Sequence, residues 1–145
     1  EAAYEAEADF HAVPVTWQQA AGLITYYNRH KFHAALITRE GGARVVTLVS
    51  CLGDWPGEAL TFHGRFPVAD GMVTLGVTVD RASQQFRVNG APVGPVLDAA
   101  IVSDEGGRGE HASFTGAFVG VVAHDLTGQG WTADVTRFRY APVLT

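Results

Sequence analysis

Several acidic residues of this chain fall in turns or loops, and a pair of such acids could hydrolyse a glycosidic bond. That reaction needs two carboxyl groups, one on each side of the bond that breaks. The candidates lie in segments rich in glycine or proline: Asp54, Glu58, Asp70, Asp104, Glu105 and Glu110. Acidic residues also occupy such segments when they are simply solvated. A solvated role is the favoured interpretation, and a catalytic pair is the alternative.

Other signatures of catalysis or metal binding are missing from the sequence. His30 and His33 are three residues apart, but they flank the entry to a predicted strand, which favours a surface or half-buried role over a metal site. No Gly-x-Ser-x-Gly elbow occurs. The glycines of 106–109 lack the strand-to-helix context of a phosphate loop. The single cysteine, Cys51, lies in an apolar run and is predicted to be a small core residue.

Aromatic residues and one polar loop could contact a sugar. Trp55 lies in the turn Gly-Asp-Trp-Pro-Gly and is the best candidate for an exposed stacking surface. The same question of surface or core arises for Trp17, which lies beside Thr16. Large aromatic side chains in loops more often pack onto a core, so both interpretations stay open. The glycine-rich, charged segment 98–112 predicts a long loop, and such loops are often functional. With Trp55, its polar residues are the candidate carbohydrate contacts: Asp104, Glu105 and Arg108.

The elements that would position these residues are strands almost throughout. Apolar and polar residues alternate with the period of half-buried strands. Gly41-Gly42 and Asn89-Gly90 are typical of tight hairpin turns. The predicted strands cover 4–10, 20–27, 33–39, 44–51, a short 60–62, 73–80, 84–88, 92–97, 117–124 and 131–140. The pattern predicts one all-β domain over 1–145, a two-sheet antiparallel β-sandwich of the jelly-roll kind.

Composition excludes several classes of protein. The chain has 145 residues, of which 47% are hydrophobic and 17% charged, so it is not intrinsically disordered. A net charge of −5 without a basic stripe predicts no nucleic-acid partner. Apolar runs such as 118–123 are too short for a membrane helix, so no membrane partner is expected. No basic segment followed by an apolar one opens the chain, which predicts no signal peptide and favours a cytoplasmic location.

Six short stretches together resemble one known family. They are Gln19–Asn28 (QAAGLITYYN), Val93–Asp98 (VGPVLD), Ser103–Gly106 (SDEG), Phe114–Gly120 (FTGAFVG), Asp125–Gly128 (DLTG) and Ala133–Asp134. In order and spacing they resemble the C-terminal β-sandwich of family 43 glycoside hydrolases, the β-xylosidases and arabinofuranosidases. The resemblance covers nearly the whole chain and implies a concanavalin-A-like fold of the xylan-binding module type.

The resemblance implies a non-catalytic role for this chain. The family's catalytic acids lie on a separate five-bladed propeller, which this sequence does not contain. The implied partners are xylan or a xylo-oligosaccharide and a glycosidase propeller domain, in the parent chain or in trans. In the family's xylosidases the Phe of the Phe-Thr-Gly-Ala motif helps to close the substrate pocket. The matching residue is Phe114, which would act on specificity by excluding water.

A structural calcium ion is a further implication of the resemblance. Calcium takes six to eight oxygen ligands. Asp134 is the first side-chain candidate and Asp9 the second, although Thr136 stands where the family often has another Asp. The alternative is that Asp134 only forms hydrogen bonds near a strand start.

Three functions therefore compete: an accessory module that binds xylan or completes a glycosidase pocket, a small stand-alone glycan-hydrolysing enzyme, and a purely structural interaction domain. The enzyme hypothesis would give catalytic roles to Asp54, Asp104 or Glu110. Because sandwiches host many functions, the fold alone does not decide among them.

The family's sandwich has further strands upstream of 4–10, so this chain resembles a fragment or a shortened relative. We expect an edge, at 4–10 or at another strand, that offers unpaired backbone groups to a second chain. That predicts a homodimer or a docking partner on the N-terminal side, which the charges of Glu5, Glu7 and Asp9 partly oppose.

Overall fold

The computed structural model describes residues 3–28, 31–51, 60–99 and 118–142. These residues form ten strands: β1 (Ala3–His11), β2 (Gln19–Asn28), β3 (Lys31–Glu40), β4 (Ala43–Cys51), β5 (Leu60–Pro67), β6 (Val73–Asp80), β7 (Ser83–Val88), β8 (Ala91–Asp98), β9 (Phe118–Asp125) and β10 (Asp134–Pro142). In this part of the chain no helix is long and apolar enough to cross a membrane.

The strands form two antiparallel five-stranded sheets that pack face to face. Sheet A has the order β10-β1-β6-β7-β8, and sheet B has the order β5-β4-β3-β2-β9. Contacts of β1 with β2 and of β5 with β8 place β9 and β10 at the same side of the sandwich. The predicted all-β sandwich is thereby confirmed.

Two tight turns carry the backbone angles that their sequences predict. Gly41 and Gly42 have φ values of 59° and 81°, and Asn89 and Gly90 have values of 51° and 89°. Two successive positive φ angles give the type I′ turn, whose twist matches that of the flanking strands. Both predicted hairpins are confirmed.

The core lies between the sheets and combines small and large side chains. Sheet A contributes alanines from β1 together with Phe10, Leu75 and Phe86, and sheet B contributes Leu23 and Leu48. The outward residues of β1 are acidic, as its alternation predicts. The free thiol Cys51 is buried, as expected.

Four details differ from the sequence predictions. The short strand at 60–62 extends to Pro67, and the last strand begins at Asp134 and not at 131. The segment 4–10 is not an edge, because β10 and β6 flank β1 on its two sides. His33 is buried, since the inward positions of β3 lie under sheet A.

His33 joins a chain of hydrogen bonds that crosses the core. Its Nε2 lies 3.0 Å from the backbone carbonyl of Asp98, which can only accept, so this nitrogen carries the proton. Its Nδ1 therefore accepts from the Ser50 hydroxyl, whose oxygen accepts in turn from His63 Nε2 at 2.8 Å. Burial is the main cause that lowers the pKa of His33, and the nearby His63 adds to it.

We predict that the protein loses stability as the pH falls from about 7 to about 5, because of His33. Its pKa is lowered in the folded state, so the unfolded chain binds this proton more readily, and folding stability falls as pH drops below the unfolded value near 6.5. Urea unfolding at a series of pH values measures the slope. The carboxylates of Asp9 and Asp125 have lowered pKa values and stay ionised throughout this window.

A His33→Gln variant should be less stable overall but should show a flatter pH profile. A matched His124→Gln variant changes an exposed histidine and should keep the wild-type slope. Equal slopes for wild type and His33→Gln would contradict the prediction.

Candidate functional site

A groove runs along the face of sheet B that points away from sheet A. On β3 and β4, Ile37 and Leu48 point into the core, so alternate residues point to the opposite face. The residues that line this outer groove are Val15, Thr16, Trp17, Ala20, Leu36, Thr38, Arg39, Glu40, Gly41, Gly42, Thr47, Val49, Leu60, Phe62, Arg65, His124 and Leu126. Its volume of about 740 Å³ lies in the range of small-ligand pockets.

The floor of the outer groove is buried although no second sheet covers it. Ala20, Thr47 and Val49 are all buried, and none belongs to the core cluster between the sheets. Their short side chains lie below the longer ones at the margins. The floor is therefore recessed between two walls.

A β-bulge in β5 builds one wall. The register shifts between Leu48 and Val49, so Phe62 pairs with Val49 and Arg65 pairs with Thr47. Without the extra residue, two positions three apart would point to opposite faces. With it, both face the outer groove, and the Arg65 guanidinium lies 5.2 Å from the centre of the Phe62 ring. Arg65 also pairs with Glu40 of the neighbouring hairpin.

The loop from β1 to β2 builds the opposite wall and carries Trp17, whose side chain is 64% exposed. Its position is set by polar contacts beneath it. Thr38 Oγ1 donates to the carbonyl of Gln19 at 2.8 Å and lies 3.4 Å from that of Trp17. Gln19 Oε1 in turn accepts from the amide of Val15 at 2.9 Å.

Two arginines fasten the same loop from the inner side. Arg39 Nε donates to the carbonyl of Pro14 at 2.7 Å, and Arg44 Nη1 donates to that of Ala12 at 2.8 Å. Arg44 Nη2 also donates to the carbonyls of Ala69 and Gly71. The buried guanidinium of Arg44 thus ties two loops to the start of β4.

Asp125 organises the turn that brings Leu126 to the outer groove. Its carboxylate accepts from the hydroxyl and amide of Thr127 and from the amide of Trp131 at 2.8 Å. These bonds lower the pKa of Asp125 to about 2, and the bond from the Thr127 hydroxyl contributes most. The turn therefore keeps its charge-assisted bonds at any ordinary pH.

Known proteins share both the sequence and the architecture. The model of the β-xylosidase C-terminal concanavalin-A-like domain matches residues 1–141. Xylosidase/arabinosidase 43B of Humicola insolens is 39% identical over 96% of this chain and 28% of its own length. A putative β-xylosidase of Escherichia coli K12 is 33% identical over 97% of this chain and 27% of its own length. The crystal structure of xylan β-1,4-xylosidase from Bacillus halodurans C-125 superposes with a TM-score of 0.85 at 26% identity, covering 97% of this chain and 28% of that one.

The chain belongs to the family of β-xylosidase C-terminal concanavalin-A-like domains. It spans little more than a quarter of the length of these relatives. The resemblance seen in the sequence is confirmed.

Most of the site residues predicted for this domain lie outside the described residues. This holds for the predicted pocket residue Phe114 and for the predicted carbohydrate contacts Trp55, Asp104, Glu105 and Arg108. Their roles stay predictions. Sequence reasoning left Trp17 between surface and core, and the structure places it at the surface. It missed Phe62, because the bulge that turns this residue outward has only Gly64 as its signal.

The second predicted calcium ligand, Asp9, is engaged by other side chains of this domain. Asp9 Oδ2 accepts from Arg137 Nε at 2.8 Å, and Asp9 Oδ1 accepts from the Thr74 hydroxyl at 2.7 Å. Bonds from Arg137 and Thr74 lower the pKa of Asp9. A carboxylate engaged by a guanidinium does not fit a calcium site.

Asp134 is exposed at the start of β10, opposite His11. Among the described residues no group of three or more His, Cys, Asp or Glu could hold a metal ion. Calcium at Asp134 stays a prediction, which melting temperatures with and without a chelator would test.

The domain is open on the side where β9 and β10 lie. Phe138 of β10 pairs with Ala8, and Val121 of β9 pairs with Leu23, so both point inward. Ala8 and Leu23 are fully buried, yet Phe138 is 44% and Val121 45% exposed. We call these two residues, with Ala123 and Tyr140, the β9–β10 opening. A register shift beside Asp9 places Val135 opposite Phe10.

We predict that Arg44→Met destabilises the domain by about 2–4 kcal/mol, because it removes charged hydrogen bonds and leaves buried carbonyls without a donor. Urea unfolding followed by circular dichroism measures the change. Arg81→Met is the matched control, since Arg81 is exposed and pairs with the exposed Asp80 at 3.4 Å. It should cost less than about 0.5 kcal/mol. Equal effects of the two substitutions would show that Arg44 does not anchor the loops.

Proposed function

We propose that this domain is a non-catalytic accessory module of a larger family 43 glycoside hydrolase. Its task is to bind xylan or xylo-oligosaccharides, or to close the catalytic pocket around them. One observation supports this proposal: the curated relatives carry a matching domain within xylosidase chains that are more than three times as long.

The partner in this proposal is a catalytic propeller domain, in the parent chain or in trans. A separate domain would supply the acid and base that hydrolysis requires. The competing enzyme hypothesis depends on Asp54, Asp104 or Glu110, which all lie outside the described residues. Activity measurements on the chain itself separate the two hypotheses.

We predict that the purified chain is retarded in native gels containing xylan but hydrolyses neither aryl xylosides nor aryl arabinofuranosides. Binding follows from the accessory role, and inactivity follows from the separate location of the catalytic acids. Turnover that disappears in Asp104→Ala or Glu110→Ala would favour the stand-alone enzyme. Migration unaffected by xylan would reject the binding role.

Phe114 carries the pocket-closing branch of the proposal. In a complete enzyme, Phe114→Ala should change kcat/KM and the preferred length of the substrate. In the isolated chain it should cost far less than the ~3–5 kcal/mol of a buried Phe truncation. A large destabilisation of the isolated chain would instead identify Phe114 as a core residue.

We further propose that the β9–β10 opening is a contact surface for a second copy of the chain. Inward-facing apolar side chains gain about 25 cal/mol for each Å² removed from water. β10 and β9 are also the outer strands of their sheets on this side and can pair with another strand. The outward carboxylates of Glu7 and Asp9 both pair with Arg137 of β10, which offsets part of their negative charge at this edge.

We predict a concentration-dependent dimer in light scattering, which Phe138→Glu shifts towards monomer because a charge would be buried at the contact. Val96→Glu is the control. Val96 is also an exposed apolar residue, but it lies on β8 at the other edge of sheet A. It should leave the dimer intact. A stable monomer at high wild-type concentration would reject self-association.

A further inference from the structure

Two exposed aromatic rings face the outer groove from opposite sides. Trp17 lies on the loop wall, and Phe62, which is 51% exposed, lies on the β5 wall. Both positions are held by specific structure, the Thr38 hydrogen bonds under the loop and the bulge in β5. Rings of this size at the surface bury much apolar area when a ligand covers them.

The floor between the two rings holds a polar group without a partner. Thr47 is only 3% exposed and lines the outer groove, and its Oγ1 has no hydrogen-bond partner among the described residues. The neighbouring Thr38 hydroxyl, by contrast, is bound to the carbonyl of Gln19. A buried hydroxyl without a partner costs free energy, which a ligand with its own hydroxyl groups would recover.

The charged groups around the outer groove are already engaged within the protein. Arg65 pairs with Glu40, and Arg39 donates to the carbonyls of Pro14 and Gly42. The lining is otherwise mostly apolar or uncharged. These features favour a neutral ligand over an anionic one, because an anion would have to compete with bonds that exist.

We propose that the outer groove binds a short, neutral pentose oligosaccharide, with Trp17 and Phe62 as stacking surfaces and Thr47 as a polar contact on the floor. A pyranose ring presents C–H groups, which are attracted to the negative face of an aromatic ring, and hydroxyls at its edge. An apolar groove with a few placed polar groups is the general form of such a site. The choice of a pentose rests on the proposed function; the location and the neutral, ring-shaped ligand rest on the groove.

The experiment is calorimetric titration of the whole chain with xylohexaose. Trp17→Ala and Phe62→Ala should each weaken binding about tenfold, the loss of roughly one good stacking contact. Val96→Ala is the matched control, since it removes exposed apolar surface on β8, outside the groove and outside the β9–β10 opening. It should bind like wild type.

Thr47 gives a second test, with opposite effects on binding and stability. Thr47→Val should weaken xylohexaose binding about fivefold and raise the melting temperature, because it removes both a ligand contact and a buried hydroxyl without a partner. Thr47→Ser keeps the hydroxyl and should retain binding. A valine variant that binds like wild type would exclude Thr47 as a contact.

The outcomes separate this inference from the accessory role. If wild type binds xylohexaose and the Trp17 and Phe62 variants bind equally well, the outer groove is not the site, while the xylan-binding role stands. If wild type does not bind xylohexaose, both the groove inference and the xylan-binding role are rejected. If an acidic oligosaccharide of the same length binds and xylohexaose does not, the neutral-ligand inference is rejected.

Discussion

The close packing of two sheets through small side chains on β1 and β2 is the constraint on which the rest of the structure depends. Ala6 and Ala8 of β1 and Ala21 of β2 are buried between the sheets, and Phe10, Phe86 and Leu48 fill the remaining space. Protein interiors are packed as densely as organic crystals, so a core of this kind leaves no room for a ligand. Recognition must therefore take place on an outer face, at a loop or at an edge.

Sheet B meets this requirement because its two faces are built differently. Its inner face is part of the core, whereas its outer face has a recessed floor of short residues between taller walls. The walls depend on polar contacts made by their neighbours. Arg39 and Arg44 hold the loop of Trp17 from the inner side, and the Asp125 carboxylate holds the turn that follows β9. Arg39 itself lines the outer groove, whereas Arg44 and Asp125 support it from outside its lining.

The outer groove and the β9–β10 opening are two different kinds of surface. In the groove, two exposed aromatic residues flank a floor with a hydroxyl that has no partner among the described residues, and the sugar-binding proposal rests on this arrangement. In the opening, inward-facing residues such as Phe138 and Val121 belong geometrically to the core but are not covered. Exposed apolar surface of this origin favours a protein contact over a small ligand. The surface proposed for a sugar and the surface proposed for a second chain therefore do not overlap, since they face different sides of the sandwich.

The sequence by itself determined the fold class, the two type I′ hairpins, the buried Cys51 and the family, because alternation, turn residues and local motifs are properties of neighbouring positions. Only the tertiary structure decided which side chains meet across strands. The alternation in 4–10 could not show that β1 lies inside sheet A, or that Arg137 would occupy the carboxylate of Asp9. Nor could it show that His33 would be buried beside Ser50. Phe62 and Arg65 share a face only because one extra residue in β5 shifts the register, and register is decided by pairing with β4.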